Sequence, residues 1–268
     1  MGNETVTKSG FGPCFDRPMD VGRAAVVVTG AGHGIGRATA IALAARGARV
    51  AAVDRDADAV REVAERVDGI AVVADVTDLS HPNRVIEATL DAFGRIDAVV
   101  ANAGIGYVGD FATMPVGAID DLIAVNLRAP MLLARAALPL LLHQRSGALV
   151  FTTSIAGTLP VPTEAIYSLS KTALESFADS LREEIRGTGV VVSTVRPGVV
   201  LTRFLEQRSR PYDRRWPRPI PPEQIAAAIV EVLESGAPRR TEPAWLDLAT
   251  QARRHLPWLY RPLSRRLG

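Results

Sequence analysis

Four short apolar runs, each followed by a helical stretch, constrain the first half of this chain more than any other feature. AAVVVT (Ala24 to Thr29), RVAAVD (Arg49 to Asp54), IAVVAD (Ile70 to Asp75) and DAVVAN (Asp97 to Asn102) are rich in valine and lack polar alternation, so each reads as a strand buried on both faces. Helical patterns open after the glycines that follow Thr29, start again at Ala57, and end at Phe93. A long helical region then runs from about Val116 to His143, followed by a strand ALVFTT (Ala148 to Thr153), a helix from about Glu164 to Arg186, and a strand VVVSTV (Val190 to Val195). Six strands alternating with helices imply right-handed crossovers and a parallel sheet. The predicted class is α/β: one doubly wound domain of strand order 3-2-1-4-5-6, with a seventh strand left open. Ligands are expected beyond the carboxyl ends of the strands.

Composition narrows the rest. With 47% hydrophobic and 22% charged residues over 268 positions, the chain suits one folded α/β domain with short extensions and is too apolar for bulk disorder. Its single cysteine, Cys14, cannot form an internal disulfide or a cysteine-built zinc site, and no metal is expected; a cytoplasmic setting follows. The first 25 residues lack the apolar core of a secretory signal, and Met131 to Leu142, broken by Arg135 and Pro139, falls short of the roughly 20 apolar residues of a membrane span. The net charge is only +2, and the basic excess is confined to Arg203–Arg218 and Arg239–Arg266, which argues against a nucleic-acid partner.

The first strand ends in TGAGHGIG (Thr29 to Gly36), where glycines let the backbone turn sharply and bring amides to a pyrophosphate at a helix N-terminus. Ile35 stands where a third glycine would fall counting Gly-x-Gly-x-x-Gly from Gly30, and there is no P-loop lysine, so nucleoside triphosphate hydrolysis is disfavoured. Asp54 closes the second strand, where a carboxylate accepts hydrogen bonds from a ribose diol; this favours NAD over NADP. Arg55 and Arg37 are the cations that would bind a 2′-phosphate if the preference ran the other way.

A third constellation is Tyr167-Ser168-Leu169-Ser170-Lys171, with Ser154 at the end of the fifth strand. Tyr167 and Lys171 share a helix face at i, i+4. A phenol titrates near 10 in water, and an ammonium beside it, together with an oxidised nicotinamide, favours the phenolate near neutral pH, making a general base. Ser154 could hold the substrate oxygen while the proton moves. Of 31 basic residues only Lys8 and Lys171 are lysines, so the one ammonium of the folded region stands beside this tyrosine.

From about Arg23 to Leu233 the chain resembles the short-chain dehydrogenase/reductase family. The resemblance rests on TGAGHGIG, Asp54, DVTD (Asp75 to Asp78), NAG (Asn102 to Gly104), Asn126, Ser154, the Tyr167/Lys171 pair and Pro197-Gly198 in order and spacing. It implies a Rossmann-like fold, Tyr167 as acid/base, Lys171 as its activator and ribose ligand, Ser154 orienting substrate, and Asn126 holding a water in the proton relay. It further implies cofactor contacts from Gly30, Gly32, His33, Gly34, Ile35 and Gly36, from Asp54 and Arg55, and from Asp75 and Val76 at the adenine. Asn102, Ala103 and Gly104 would lie beside the adenosine ribose, and Pro197, Gly198, Val200 and Thr202 at the nicotinamide. Helices around Asn126 and Tyr167 would pair into a homodimer or homotetramer. Two departures are Leu169, where the family has a small residue, and TEPAWL (Thr241 to Leu246), a poor match to a final strand.

The domain reading is an N-terminal extension at 1–22 whose order the sequence leaves open, a dinucleotide-binding and catalytic domain at 23–252 with a proline- and arginine-rich, lid-like loop at 201–222, and a basic tail at 253–268. Arginines interleave with Leu256, Trp258 and Tyr260 in that tail, which is read as packing on the core or a neighbouring subunit in preference to a membrane surface. Ile155, Leu159, Val200, Phe204 and Trp216 are the expected substrate-side residues, and their apolar character points to a hydrophobic small molecule. The expected activity is hydride transfer between NAD(H) and a secondary alcohol or ketone. The alternatives are an NADP(H)-dependent ketoreductase of the same family and a catalytically silent dinucleotide sensor.

Overall fold

The computed structural model describes residues 19–159, 161–207, 209, 212 and 217–255; residues 1–18, Trp216 and residues 256–268 lie outside them. The strands are β1 (Ala25–Thr29), β2 (Arg49–Asp54), β3 (Ile70–Val73), β4 (Ala98–Ala101), β5 (Gly147–Thr152), β6 (Val190–Pro197) and β7 (Arg239–Glu242). The helices are α1 (Gly34–Ala44), α2 (Ala57–Arg66), α3 (His81–Phe93), α4 (Val116–Ile123), α5 (Ala129–Gln144), α6 (Ala165–Glu184), α7 (Arg203–Gln207), α8 (Pro222–Ser235) and α9 (Leu246–His255). Local chemistry sets several boundaries. Asp56 caps α2 by accepting from the Ala59 amide, Pro82 occupies the first turn of α3, and Gly94 ends that helix at a φ of 73°.

The sheet has the order β3-β2-β1-β4-β5-β6-β7, and every pairing is parallel. Period-two geometry divides each strand between two cores. Val26, Val28, Val50, Ala52, Val100 and Val150 pack with α1, α2 and α8 on one face. Val27, Ala51, Val53, Val99, Leu149 and Phe151 pack with α3, α5 and α6 on the other. Burying both faces is what removes polar alternation from these strands, and each wholly buried valine favours folding by about 1.5–3 kcal/mol over an exposed one.

The seventh strand that the sequence left open is the charged segment Arg239–Glu242, which among the described residues pairs only with β6. Residues Met19 to Arg23 also belong to the packed fold: Val21 is buried, and the Met19 amide donates to the Leu233 carbonyl at the end of α8. The long helical region is continuous from Val116 to Gln144 but changes pitch, since Ala124–Arg128 form a π-helical turn between α4 and α5. At 29 residues this run is long and apolar enough by length and composition to cross a bilayer, which Met131 to Leu142 alone is not. Its Leu133, Ala137 and Leu141 are buried in the core beside the sheet. The loop after β6 is pinned at its base, where Val200 pairs with Ile220 and the Leu201 amide donates to the Ile220 carbonyl at 2.8 Å.

Candidate active site

The carboxyl ends of β1, β2, β4, β5 and β6 converge on one cleft. At β1, Gly30 has a φ of +66° and Gly34 of +49°, and a side chain on Gly36 would meet the Gly30 carbonyl oxygen at 2.0 Å. Only glycine lets α1 start that close under the turn. His33, the residue before α1, makes no side-chain cap, so first-turn amides of the helix are left with donors to offer an anion. The Asp54 carboxylate is fixed beside this turn by the Gly32 amide at 2.9 Å and the Asp56 amide at 3.0 Å. A ring nitrogen of His33 lies 2.9 Å from Asp56, a hydrogen bond that holds the Asp56 carboxyl below its ordinary range. Arg37 pairs with Glu62 at 3.0 Å.

Thr29, which opens the TGAGHGIG motif but had no role assigned from sequence, ties β1 to β4: its hydroxyl accepts from the Asn102 and Ala103 amides, and Asn102 Nδ2 donates to its carbonyl at 3.0 Å. That role shows only once β4 is placed beside β1. Asp75 forms a turn by accepting from the Thr77 amide and hydroxyl, which lowers its pKa. Val76 lines a small pocket with Thr29, Ala101 and Ala103. In that pocket lies His81, fully buried, with one ring nitrogen on the Asp78 carbonyl. Burial pulls its pKa down.

The catalytic candidates meet where β4 and β5 end. Ser154 is buried just beyond β5 and its hydroxyl caps a short 3-10 turn, Ile155–Gly157, accepting from the Ala156 amide at 3.1 Å. Tyr167 is buried in the first turn of α6, and one turn on, Lys171 Nζ donates to the Thr152 carbonyl at 3.0 Å. The ammonium is enclosed, and burial pulls its pKa down to about 8. Asn126 lies fully buried within the π-helical turn and exchanges two 2.9 Å hydrogen bonds with the backbone of Ile105. Its Nδ2 also donates to Ser170 Oγ at 3.2 Å, and Ser170 in turn donates to the Tyr167 carbonyl at 2.7 Å. A side chain on Gly104 would sit 3.2 Å from Asn126 Oδ1 and 3.4 Å from Lys171 Nζ, so both reach the same narrow space. π-Helical turns of this kind recur at functional sites because they redirect one side chain out of register.

The strand β6 and the loop after it close the cleft. The Gly198 amide donates to the Glu242 carbonyl at 2.8 Å, Val200 packs in the α8-side core with Ile225 and Ile229, and Thr202 lies against Gly34 at the start of α1. The ring of Phe204 in α7 stands 5.6 Å from that of Tyr167. Ile155 and Leu159 are half-buried around the 3-10 turn after Ser154. Tyr107, Phe111, Met114, Leu122 and Ile166 line a further pocket reaching Tyr167, none of which carried a motif in the sequence.

Similarity to known proteins bears on the family and the fold. The family model described as short chain dehydrogenase matches residues 24–213. The chain belongs to the short-chain dehydrogenase/reductase family. An uncharacterized oxidoreductase of Staphylococcus epidermidis is 37% identical over 67% of this chain and 79% of its own, and one of Staphylococcus aureus is 35% identical over 77% and 89%. Among solved structures, a short chain dehydrogenase/reductase of Burkholderia phymatum in complex with NAD superposes with a TM-score of 0.81 at 25% identity, over 90% of this chain and 96% of that one. The 3-ketoacyl-(acyl-carrier-protein) reductase of Brucella melitensis complexed with NADH gives 0.78 at 25% identity, over 84% and 99%. The Rossmann-like, seven-stranded parallel fold of these short-chain dehydrogenase/reductase enzymes is the fold found here.

Proposed function

We propose that the protein is an NAD(H)-dependent dehydrogenase/reductase acting on a secondary alcohol or its ketone, with Tyr167 as acid/base. The observation that carries this reading is the convergence of buried Ser154, Tyr167, Lys171 and Asn126 at the carboxyl ends of β4 and β5, across the cleft from a glycine turn and Asp54. The uncapped amides of α1 suit the pyrophosphate, and Asp54, held by two backbone amides, suits the adenosine ribose diol. When bound, the nicotinamide supplies the hydride acceptor or donor. In the oxidation direction Tyr167 Oη takes the alcohol proton while Ser154 Oγ holds the same substrate oxygen. The Lys171 ammonium favours the phenolate that receives the proton. Asn126 shapes the floor by fixing the loop at Ile105 and, through Ser170, the first turn of α6.

The lining of Tyr107, Phe111, Met114, Leu122 and Ile166, with Phe204 over the tyrosine ring, supports a hydrophobic substrate. The preference for NAD(H) over NADP(H) rests on the Asp54 carboxylate, which repels a 2′-phosphate, and on the engagement of Arg37 with Glu62. Calorimetric titration with NAD⁺, NADH, NADP⁺ and NADPH tests it: NAD(H) is expected to bind on the order of tenfold or more tightly than NADP(H), as one desolvated like-charge contact would give. Tighter binding of NADP(H) would overturn Asp54 as the selector.

A further inference from the structure

The catalytic helix carries a second charged stripe that the reaction above does not use. Glu175 follows Lys171 by one turn of α6 and is buried; it pairs with Arg196, which is buried on β6 directly before Pro197. Arg196 reaches Asp247 of α9 at 3.4 Å, and Arg239 of β7 adds its Nε to Glu175 at 2.9 Å and a terminal nitrogen to Asp179 at 2.9 Å. Asp247 also accepts from the Thr241 hydroxyl at 2.7 Å, and Leu246 beside it packs against Gly198. One guanidinium therefore ties together α6, the end of β6 and the start of α9.

Cohesion alone does not require an ion pair here. Well-packed aliphatic side chains of similar volume hold a helix to a strand without the cost of desolvating two ions, and such replacements are often neutral or stabilising. What an ion pair adds is direction: a planar guanidinium meets a carboxylate in a narrow range of positions. Arg196 stands directly before Pro197, where the segment Pro197–Thr202 begins, and Glu175 stands on the helix that carries Tyr167 and Lys171. That segment leaves β6 beside β5, where the Thr153 amide donates to the Val195 carbonyl at 2.8 Å, and reaches Gly34 through Thr202. It spans the cleft from the catalytic helix to the glycine turn.

We propose that the buried Arg196–Glu175 pair positions the Pro197–Thr202 segment against α6 and so sets the place of the nicotinamide half of the dinucleotide. Arg196 and Glu175 are positioning residues: neither lies in the cleft, and both act through the backbone that follows β6. The inference rests on the dinucleotide reading above, and its test separates the two. ADP carries only the adenosine and diphosphate half, held by the glycine turn and Asp54, whereas NADH also fills the side bounded by Pro197–Thr202.

The experiment is calorimetric titration of the full chain with ADP and with NADH, for wild type, the aliphatic double variant Arg196→Met/Glu175→Leu and the near-isosteric Glu175→Gln, each checked for its melting transition. The expected result is ADP affinity within about twofold of wild type in both variants, with NADH weakened on the order of tenfold in the double variant and about threefold in Glu175→Gln. NADH affinity unchanged in Glu175→Gln overturns the positioning role, whether or not the double variant folds. A parallel loss of ADP and NADH also overturns it, as general damage to the fold. Wild type that binds neither ligand overturns the dinucleotide reading and this inference with it.

Discussion

Lys171 is an ammonium in an interior site, and its pKa is pulled down to about 8 from an ordinary 10.5 by loss of water. Folding therefore costs stability wherever this group must stay protonated, in full below pH 8, and the cost fades as pH rises through the window from about 8 to 10.5. Lys171→Met is expected to be more stable than wild type near pH 7 by up to about 3 kcal/mol, with the gap closing toward pH 10; urea titrations at both pH values check this. A gap that does not change with pH would show that the lysine is not buried as a cation. Tyr167→Phe is expected to lower turnover by about 10²–10⁴ while leaving dinucleotide affinity in place, because only the proton donor and acceptor is removed. At this scale the catalytic candidates were legible because tyrosine and lysine at i, i+4 are uncommon in a chain with so few lysines. The Leu169 departure is equally intelligible: the side chain is half exposed on the outer side of α6, so a larger residue there displaces nothing in the cleft. Thr29, Ser170 and the backbone of Ile105 were not legible, since each matters only through a partner distant in the chain.

Among the elements, the turn between β1 and α1 leaves little room for a side chain. A methyl group on Gly36 would overlap the Gly30 carbonyl and crowd Asn102 Nδ2, and neither atom can retreat without moving β1 or β4. Gly36→Ala is expected to lose more than about 3 kcal/mol of stability or to abolish dinucleotide binding, read from melting and calorimetry; a variant that folds and binds as wild type would contradict the close approach. The long helical region was readable as one helix from its apolar pattern, yet its π-helical turn was not. The extra residue in that turn is stabilised by the bonds of Asn126 to Ile105, which periodicity within the helix does not encode. β7, allowed for as a possible seventh strand, was hard to place for a different reason. As an edge strand it needs no second apolar face, and Arg239, Arg240 and Glu242 instead serve ion pairs with Glu175, Glu231 and one another.

For the whole molecule, strand order followed from the alternation of valine-rich strands with helices, because right-handed crossovers whose order reverses once place helices on both faces of a parallel sheet; which residue faces which layer did not follow, since strands buried on both sides show no alternation. The cleft wall was less readable: Tyr107, Phe111 and Met114, which line the pocket reaching Tyr167 and which we propose face the substrate, come from loops and short turns, where sequence and contact are only loosely linked. We propose from the family alone that the helices around Asn126 and Tyr167 pair between chains. Light scattering coupled to size exclusion is expected to give two or four times the chain mass of 28.6 kDa, and a mass of one chain would contradict it. The measurement that bears most directly on the central reading is the appearance of NADH absorbance when wild type and Tyr167→Phe are incubated with NAD⁺ and a panel of hydrophobic secondary alcohols. NADH is expected with wild type and not with the variant, although the variant binds NAD⁺ as well. Equal rates from the two proteins would contradict Tyr167 as the acid/base and, with it, the account of the site.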